Sequence, residues 1–299
     1  MDEGRWITER LTLPDGRTVA VHERPGDGPT VVFCHPAPGA GRFDPDPHAT
    51  RSAHVSLVAV DRPAYGGSDP IQAGRWATVA SAADDVAHVL RTRGISEVGV
   101  AGWSAGGRVA LALAARHPEL VARVAVIGTP APNEAVPWIP AHFVSAIEAM
   151  RDLGPDEVHA AFEEQMGETV PPDPAQPAAL AQLGVSPDTD GATLRRPGLR
   201  DRLAGMLADA FRQGARGMAL DVAGYTLQPW GFDPREVHVE TLLLYGQADP
   251  VAGSRHANWW LTALPDAWVQ VVPGAGHLVV AEAWDQAVSY LAAAPAVAA

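Results

Sequence analysis

Six short apolar runs, mostly of β-branched residues, recur along the chain and are separated by segments of helical periodicity. They are "TVVFCH", "VSLVAV", "EVGVAG", "VARVAVIG", "ETLLLYG" and "AWVQVV". Each run is too short for a helix, and its composition is typical of a strand that is buried on both faces. Because strands that alternate with helices form mostly parallel sheets, the sequence predicts a doubly wound α/β fold.

The first segment, "RWITERLTLPDGRTVAVHER", follows a different pattern. Polar and apolar residues alternate on both sides of "PDG", as in two antiparallel strands joined by a turn. We expect this hairpin to form an antiparallel edge of the sheet. The closing "AAAPAVAA" is of low complexity and is predicted to fray.

No strand pattern is found between about Pro130 and Val237, where helical stretches such as "LRDRLAGMLADAFRQG" alternate with proline-rich joints. Such an insertion is longer than an ordinary connection. Ligands of doubly wound sheets bind beyond the carboxyl ends of the strands, where the insertion emerges. We therefore expect a core of residues 1–130 and 238–299 and a helical lid of residues 131–237. The alternative is that the insertion only adds structural bulk.

The charge balance bears on possible partners, since 22 Lys and Arg against 35 Asp and Glu give a net charge of −13. A chain this acidic repels nucleic acid and anionic membrane surfaces. The start "MDEGRWITER" is unlike a signal peptide, and no apolar run reaches transmembrane length. The single cysteine, Cys34, excludes an internal disulfide and a multi-cysteine metal site. We expect a cytoplasmic protein that binds a small molecule.

Ser104 lies in "VGVAGWSAGGRVALALAA", between a strand candidate and a helix candidate. The Gly-x-Ser-x-Gly match is weak evidence by itself, but a strand-to-helix turn is the context in which such a serine acts as a nucleophile. Gly102 and Gly106 relieve the crowding of that turn. The helix directs its first amides to the same place, so Ala105 N–H can donate to a developing oxyanion.

A serine nucleophile needs a base, and the base needs an orienting carboxylate. Of eleven histidines, His277 stands out because "WVQVVPGAGHLVV" places it in a glycine-bounded loop after the last strand. The candidate acid is Asp249 in "LLLYGQADPVAGS", which also follows a strand; the alternative is that it only caps the next turn. The other histidines that we considered are predicted to be solvated or to pack, and they are His22, His88, His117, His142, His159 and His256.

The loop "VVFCHPAPGAGRF" offers a second oxyanion donor. Prolines at positions 36 and 38 have no N–H, so Ala37 is the donor of that triplet; the alternative is an ordinary rigid loop. We expect His35, Pro38 and Trp103 to line the substrate pocket. For Trp103, packing under the lid is an equal alternative.

These motifs resemble those of the α/β-hydrolase family, in its capped serine hydrolase and esterase branch, whose helical insertion lies between the sixth and seventh strands. "GWSAG" resembles the nucleophile elbow, "CHPAPGAGR" the oxyanion loop, "DRPAYGGSDP" the loop after the next strand, and "YGQADPV" and "GAGHL" the acid and histidine segments. The resemblance covers nearly the whole chain. It implies Ser104 as nucleophile, His277 as general base, Asp249 as its orienting group, and Ala37 and Ala105 as oxyanion donors.

Two positions depart from the family pattern. Pro36 stands where the family usually has glycine, which bears on how Ala37 presents its amide, and Ala64 replaces another common glycine. Serine at position 104 argues against epoxide hydrolase and haloalkane dehalogenase chemistry, because those enzymes carry aspartate there.

The predicted function is hydrolysis of a carboxylic ester or related acyl compound through an acyl-enzyme intermediate. Acyl transfer, carbon–carbon bond hydrolysis and a lyase reaction are alternatives on the same scaffold, as is a low-turnover ligand sensor. No cofactor or metal is implied, since a serine triad needs neither. The aromatic residues of the insertion suit an uncharged, partly apolar substrate or form the core of the insertion, and they are Trp138, Phe143, Phe162, Phe211, Tyr225 and Trp230. The natural substrate and the oligomeric state stay open.

Overall fold

The computed structural model describes residues 5–171 and 173–293, and within them eight strands form one sheet. The strands are β1 (Ile7–Thr12), β2 (Thr18–Arg24), β3 (Thr30–Cys34), β4 (Ser56–Val60), β5 (Val98–Trp103), β6 (Val121–Ile127), β7 (Thr241–Gly246) and β8 (Ala267–Val272). Their order across the sheet is β1-β2-β4-β3-β5-β6-β7-β8. Strand β2 is antiparallel to β1 and β4, and all other neighbours are parallel. The predicted α/β fold with an antiparallel N-terminal edge is confirmed.

The α-helices of the described residues cover both faces of this sheet. They are α1 (Pro47–Ser52), α2 (Val79–Thr92), α3 (Ala105–Arg116), α4 (Ala141–Ala149), α5 (Pro155–Gly167), α6 (Pro177–Ala181), α7 (Pro187–Asp190), α8 (Leu199–Ala210), α9 (Arg216–Leu227), α10 (Ser254–Ala263), α11 (Val279–Glu282) and α12 (Trp284–Ala292). Helices α2, α3 and α10 share a core with Val32, whereas α1, α11 and α12 share a core with Val31 and Phe33. Successive strand side chains thus point to opposite faces, each covered by helices.

The last strand, β8, corrects one expectation. Its Trp268 and Val271 side chains are 43% and 38% exposed, so this run is not buried on both faces. Strand β8 is the edge of the sheet, with a neighbour on one side only. An edge strand receives less cover from the helices, which the composition of a six-residue run does not reveal.

Between β6 and β7 the described residues contain helices α4 to α9 and no strand. Ile147, Val158 and Phe162 form a small core with Ala219 and Ala223 on α9. Helices α6 and α8 instead pack into the core of the sheet, through a set that includes Leu180, Leu203 and Leu207. The insertion therefore has a small core of its own and is also anchored to the main one.

Parallel strands bring their carboxyl ends to one edge of the sheet, where the loops after β3, β5 and β7 meet the insertion. Within the described ranges, no helix has the length and apolarity to cross a membrane. The predicted fraying concerns mainly residues 294–299, which lie outside the described residues, as do residues 1–4 of the polar start.

Candidate active site

Ser104 occupies a tight turn between β5 and α3, with φ of 53° and ψ of −122°. A positive φ is strained for a residue that carries a Cβ atom. Neighbouring glycines permit the turn: a Cβ on Gly102 would lie 2.4 Å from the Gly106 carbonyl oxygen, and one on Gly106 would lie 2.0 Å from that of Cys34. Only glycine fits such close backbone approaches. The fold thereby holds Ser104 at the head of α3, where the residue is partly exposed.

Asp249 follows β7 and contacts the ring of His277, whose Nδ1 lies 2.8 Å from Asp249 Oδ2. Asp249 Oδ1 accepts hydrogen bonds from the amides of Val251 at 2.8 Å and Ala252 at 3.0 Å. Burial alone would raise the pKa of Asp249, but the His277 ring and the two amides outweigh it, so its pKa lies below the usual value. The carboxylate is ionised, and His277 Nδ1–H therefore donates. Asp249 both caps the following turn and orients His277.

Two groups hold the backbone of the His277 loop. Trp103 Nε1 donates to the His277 carbonyl oxygen at 3.1 Å, and Asp190 Oδ1 accepts from the Leu278 amide at 2.8 Å. Asp190 is fully buried and also accepts from the Ser186 amide at 3.0 Å. Sequence reasoning missed Asp190, because nothing in its local pattern, "SPDTDG", distinguishes it from a helix-capping carboxylate.

The two predicted oxyanion donors line one cavity with Ser104 and His277. Among the described residues, the amides of Ala37 and Ala105 have no hydrogen-bond acceptor, so both can serve an added oxyanion. Over the same residues, Ser104 Oγ makes no hydrogen bond with His277. Such bonds often form only when substrate is bound.

The cavity has a volume of about 610 Å³ and lies between the strand ends and the insertion. Much of its wall is apolar and comes from the insertion, including Trp138, Phe143, Phe162 and Tyr225. The other two aromatic residues considered above lie elsewhere: Phe211 packs against the sheet core, and Trp230 stacks on Trp260 at 5.8 Å. A cavity of this size accommodates a small organic molecule.

The sequence analysis expected His35, Pro38 and Trp103 to line the cavity. The structure places none of the three in the cavity wall. His35 is fully buried, and its Nε2 accepts from the Arg62 amide at 3.2 Å. Trp103 is fully buried and stacks on Phe43, which belongs to the loop after β3 and not to the insertion. Pro38 is also buried. At this loop Ala37 is partly exposed, and its neighbours Pro36 and Pro38 are buried.

Two of the other histidines have partners outside the cavity. His22 Nε2 lies 2.9 Å from Asp61 Oδ2, and His256 Nδ1 accepts from the Ala131 amide at 3.0 Å. Among the described residues that line the cavity, His277 is the only histidine. In those same residues, no three His, Cys, Asp or Glu side chains converge as a metal site requires.

A buried ion pair supports the oxyanion loop. Arg62, after β4, contacts Asp221 of α9 with Nη2 2.6 Å from Oδ2. Its guanidinium also donates to the carbonyl oxygens of His35 at 2.6 Å and Pro36 at 2.8 Å. The Pro36 carbonyl and the Ala37 N–H belong to one peptide group. Arg62 thus fixes the peptide group that presents the Ala37 amide. Arg62 belongs to the quoted "DRPAYGGSDP", but its partner lies 159 positions away and gives no local signal.

Comparisons with known proteins agree with the observed fold. A family model described as "alpha/beta hydrolase fold" matches residues 29–283. A 2-(acetamidomethylene)succinate hydrolase of Mesorhizobium japonicum is 30% identical over 279 residues, which cover 92% of this chain and 90% of that protein. A pimeloyl-[acyl-carrier protein] methyl ester esterase of Chromobacterium violaceum is 26% identical over 257 residues, covering 84% of this chain and 88% of that protein.

Solved structures share the fold. A hydrolase from Pseudomonas aeruginosa matches with a TM-score of 0.69 and 22% identity, over 96% of this chain and 98% of that chain. A thermophilic esterase from Thermogutta terrifontis matches with a TM-score of 0.64 and 20% identity, over 96% of each chain. At sequence identities this low, the likeness shows only that the fold is shared.

Proposed function

Because the chain belongs to the α/β-hydrolase fold family, we propose that this enzyme is a serine hydrolase that cleaves a carboxylic ester through an acyl-enzyme on Ser104. One observation carries the proposal. The Asp249–His277 pair, at 2.8 Å, shares a cavity with Ser104 and with the unengaged amides of Ala37 and Ala105. A nucleophile, an oriented base and an oxyanion site are the parts that acyl transfer to a serine requires.

Each part has a defined role in the proposed reaction. Ser104 Oγ attacks the carbonyl carbon while His277 Nε2 takes its proton, and the Ala37 and Ala105 amides donate to the oxyanion. His277 then protonates the leaving alcohol. A water molecule, deprotonated by His277, then attacks the acyl carbon. The bond from that carbon to Ser104 Oγ breaks, His277 returns the proton to Ser104 Oγ, and the acid leaves. Asp249 stays ionised throughout and stabilises the imidazolium.

The names of the two relatives described above support hydrolysis as the proposed reaction. One relative is named as a hydrolase of 2-(acetamidomethylene)succinate and the other as a methyl ester esterase. The apolar wall of the cavity favours a substrate with apolar parts. Thioesters, lactones and amides are the related acyl compounds to compare with esters.

The insertion, residues 131–237, is proposed to act as a cap over the nucleophile. In support, Trp138, Phe143, Phe162 and Tyr225 of the insertion share the cavity wall with Ser104. A cap limits the entry of bulk water while the ester is being positioned, and it strengthens the oxyanion hydrogen bonds in the drier cavity.

The test is replacement of the nucleophile. Ser104→Ala is expected to lower hydrolysis of 4-nitrophenyl butyrate by at least about 10³-fold, because the covalent route is lost. A matched control is Ser145→Ala, an exposed serine on α4 whose hydroxyl bonds its own helix at Ala141, and this variant should keep wild-type rates. Circular dichroism and a melting curve check that both variants fold.

A fluorophosphonate probe gives a second measurement. Peptide mapping should place the label on Ser104 of the wild-type enzyme and find none in Ser104→Ala. Turnover retained by pure, folded Ser104→Ala would refute the proposal. Absence of labelling in the wild type would instead favour the low-turnover ligand sensor. Product analysis with added methanol separates hydrolysis, which yields mainly the free acid, from acyl transfer.

A further inference from the structure

Arg108 is a charged residue in the cavity that the proposed reaction does not use. It lies on α3 four positions after Ser104, which places it on the same side of the helix and about 6 Å further along the axis. Helical side chains lean toward the N-terminus of their helix, which here is the direction of Ser104. Arg108 lines the cavity although only 5% of its surface is exposed.

The guanidinium of Arg108 lacks a counter-charge. Its Nη2 donates to the Pro130 carbonyl oxygen at 3.2 Å, and its Nε is enclosed without a partner. Among the residues that the structure describes, no carboxylate forms an ion pair with it, since Glu134 acts only at a distance and Asp221 is bound to Arg62. Burial lowers the pKa of Arg108 to about 10.

Aromatic rings contact the flat faces of this guanidinium but not its N–H edge. The guanidinium carbon lies 4.5 Å from the ring centre of Trp230 and 5.8 Å from that of Trp138. Cation–π contacts of this kind engage the flat faces, while the N–H groups point outward in the plane. The arrangement positions the N–H edge, of which only Nη2 has a hydrogen-bond partner among the described residues.

Tyr225 supplies a second donor without a partner. Its hydroxyl is buried and has no hydrogen bond with any described residue, and the side chain lines the same cavity. Burial raises the pKa of Tyr225, so the hydroxyl keeps its proton, and Tyr225 and Arg108 lie in the wall of the same cavity. The Tyr225 hydroxyl is therefore a neutral donor near a cation.

We propose that the substrate carries a carboxylate which binds Arg108 and Tyr225 while Ser104 attacks its ester group. An unpaired buried cation is costly, and a carboxylate matches the forked guanidinium edge. The inference rests on the proposed serine hydrolase function and narrows its substrate class. It replaces the uncharged substrate of the sequence analysis with an anionic one that keeps an apolar portion.

The test compares two esters that differ in one charge. They are mono-4-nitrophenyl adipate, which ends in a carboxylate, and 4-nitrophenyl methyl adipate, in which that carboxylate is blocked. With spontaneous hydrolysis subtracted, the wild-type enzyme should show a kcat/KM at least about tenfold higher for the acid, the effect of one charged hydrogen bond. An equal or lower value for the acid would overturn the inference.

Variants assign that preference to the two residues. Arg108→Gln should lower the ratio of the two kcat/KM values by at least about tenfold, and Tyr225→Phe by about threefold or more. The matched control is Arg116→Gln, in the last turn of α3, where the arginine pairs with Asp84 away from the cavity wall. Its ratio should equal that of the wild type. A purely structural Arg108 would lower both kcat/KM values alike and leave the ratio unchanged.

Inhibition of the wild type keeps the inference testable if Arg108→Gln does not fold. With 4-nitrophenyl butyrate as substrate, adipate should inhibit competitively and the neutral adipamide should not; equal inhibition contradicts the inference. The two proposals fail separately. If only the neutral ester is hydrolysed and Ser104→Ala is inactive, the hydrolase proposal stands and the carboxylate site is refuted. Activity retained by Ser104→Ala refutes the hydrolase proposal itself.

Discussion

Each candidate catalytic side chain owes its geometry to one or two neighbours. Asp249 Oδ1 accepts from the Val251 and Ala252 amides, and His277 Nδ1–H donates to the other carboxylate oxygen, Oδ2. One carboxylate oxygen thus binds the turn and the other binds the His277 ring. The second contact keeps the imidazole in the tautomer that a general base needs. The chemistry of the pair is thus linked to the stability of its loop.

We expect Asp249→Asn to destabilise the protein more at pH 7 than at pH 3. The folded pKa of Asp249 lies below the unfolded value of about 3.9, so its contribution is present above about pH 4 and is lost as the pH falls through the folded pKa. Urea unfolding of wild type and variant between pH 7 and pH 3 measures the difference. A difference that is constant across this range would contradict the expectation.

At the scale of elements, the turn from β5 to α3 depends on backbone contact. The first turn of α3 packs so closely against the loop after β3 that a Cβ on Gly106 would lie 2.0 Å from the Cys34 carbonyl oxygen. Because the obstacle is backbone, it cannot move as a flexible side chain would. This packing brings the loop that carries Ala37 beside Ser104.

Two glycine replacements should therefore have opposite effects on stability. Gly106→Ala is expected to lower the free energy of unfolding by about 1–3 kcal/mol through overpacking. Gly205→Ala, on an exposed site of α8 where a Cβ would meet no atom within 4 Å, should raise it by about 0.5–1 kcal/mol through helix propensity. Urea denaturation measures both, and a Gly106→Ala protein as stable as wild type would show that the turn can relax.

Across the whole molecule, the Arg62–Asp221 pair joins the core to the insertion. Both side chains are only 5% exposed, and the pair ties α9 to the loop that carries Ala37. The insertion thus helps to hold the loop that carries Ala37, and it also lines the cavity. Its helices α6 and α8 add apolar anchorage to the sheet.

Breaking this pair should be far more costly than breaking a surface pair. Asp221→Asn is expected to lower the free energy of unfolding by about 3–5 kcal/mol, because it leaves Arg62 charged and buried. The comparison is Glu119→Gln, whose partner Arg91 is 51% exposed and whose own side chain is 58% exposed, with an expected loss within about 0.5 kcal/mol. Similar losses for both variants, measured by urea unfolding, would argue against the role of the buried pair.

Local pattern was sufficient for the strands, for the long helices around Ser104 and for the residue types of the candidate site. Apolar periodicity reports burial, and the glycines of "GWSAGG" report a backbone approach that no other residue allows. The same patterns did not reveal that β8 is an edge strand or that His35 and Trp103 face the core. Those properties depend on which elements lie beside a strand or loop, and a sequence window does not contain them.

The sequence by itself determined the alternation of strands and helices and the order of Ser104, Asp249 and His277, because these follow from local periodicity and turn chemistry. Only the tertiary structure decided what surrounds them. Asp190 accepts from the His277 loop, Asp221 pairs with Arg62, and Arg108 lies in the cavity wall. Charge pairing and burial are properties of three-dimensional neighbours. Whether Arg108 has an ionic partner depends on where the nearby carboxylates lie, which only the tertiary structure shows.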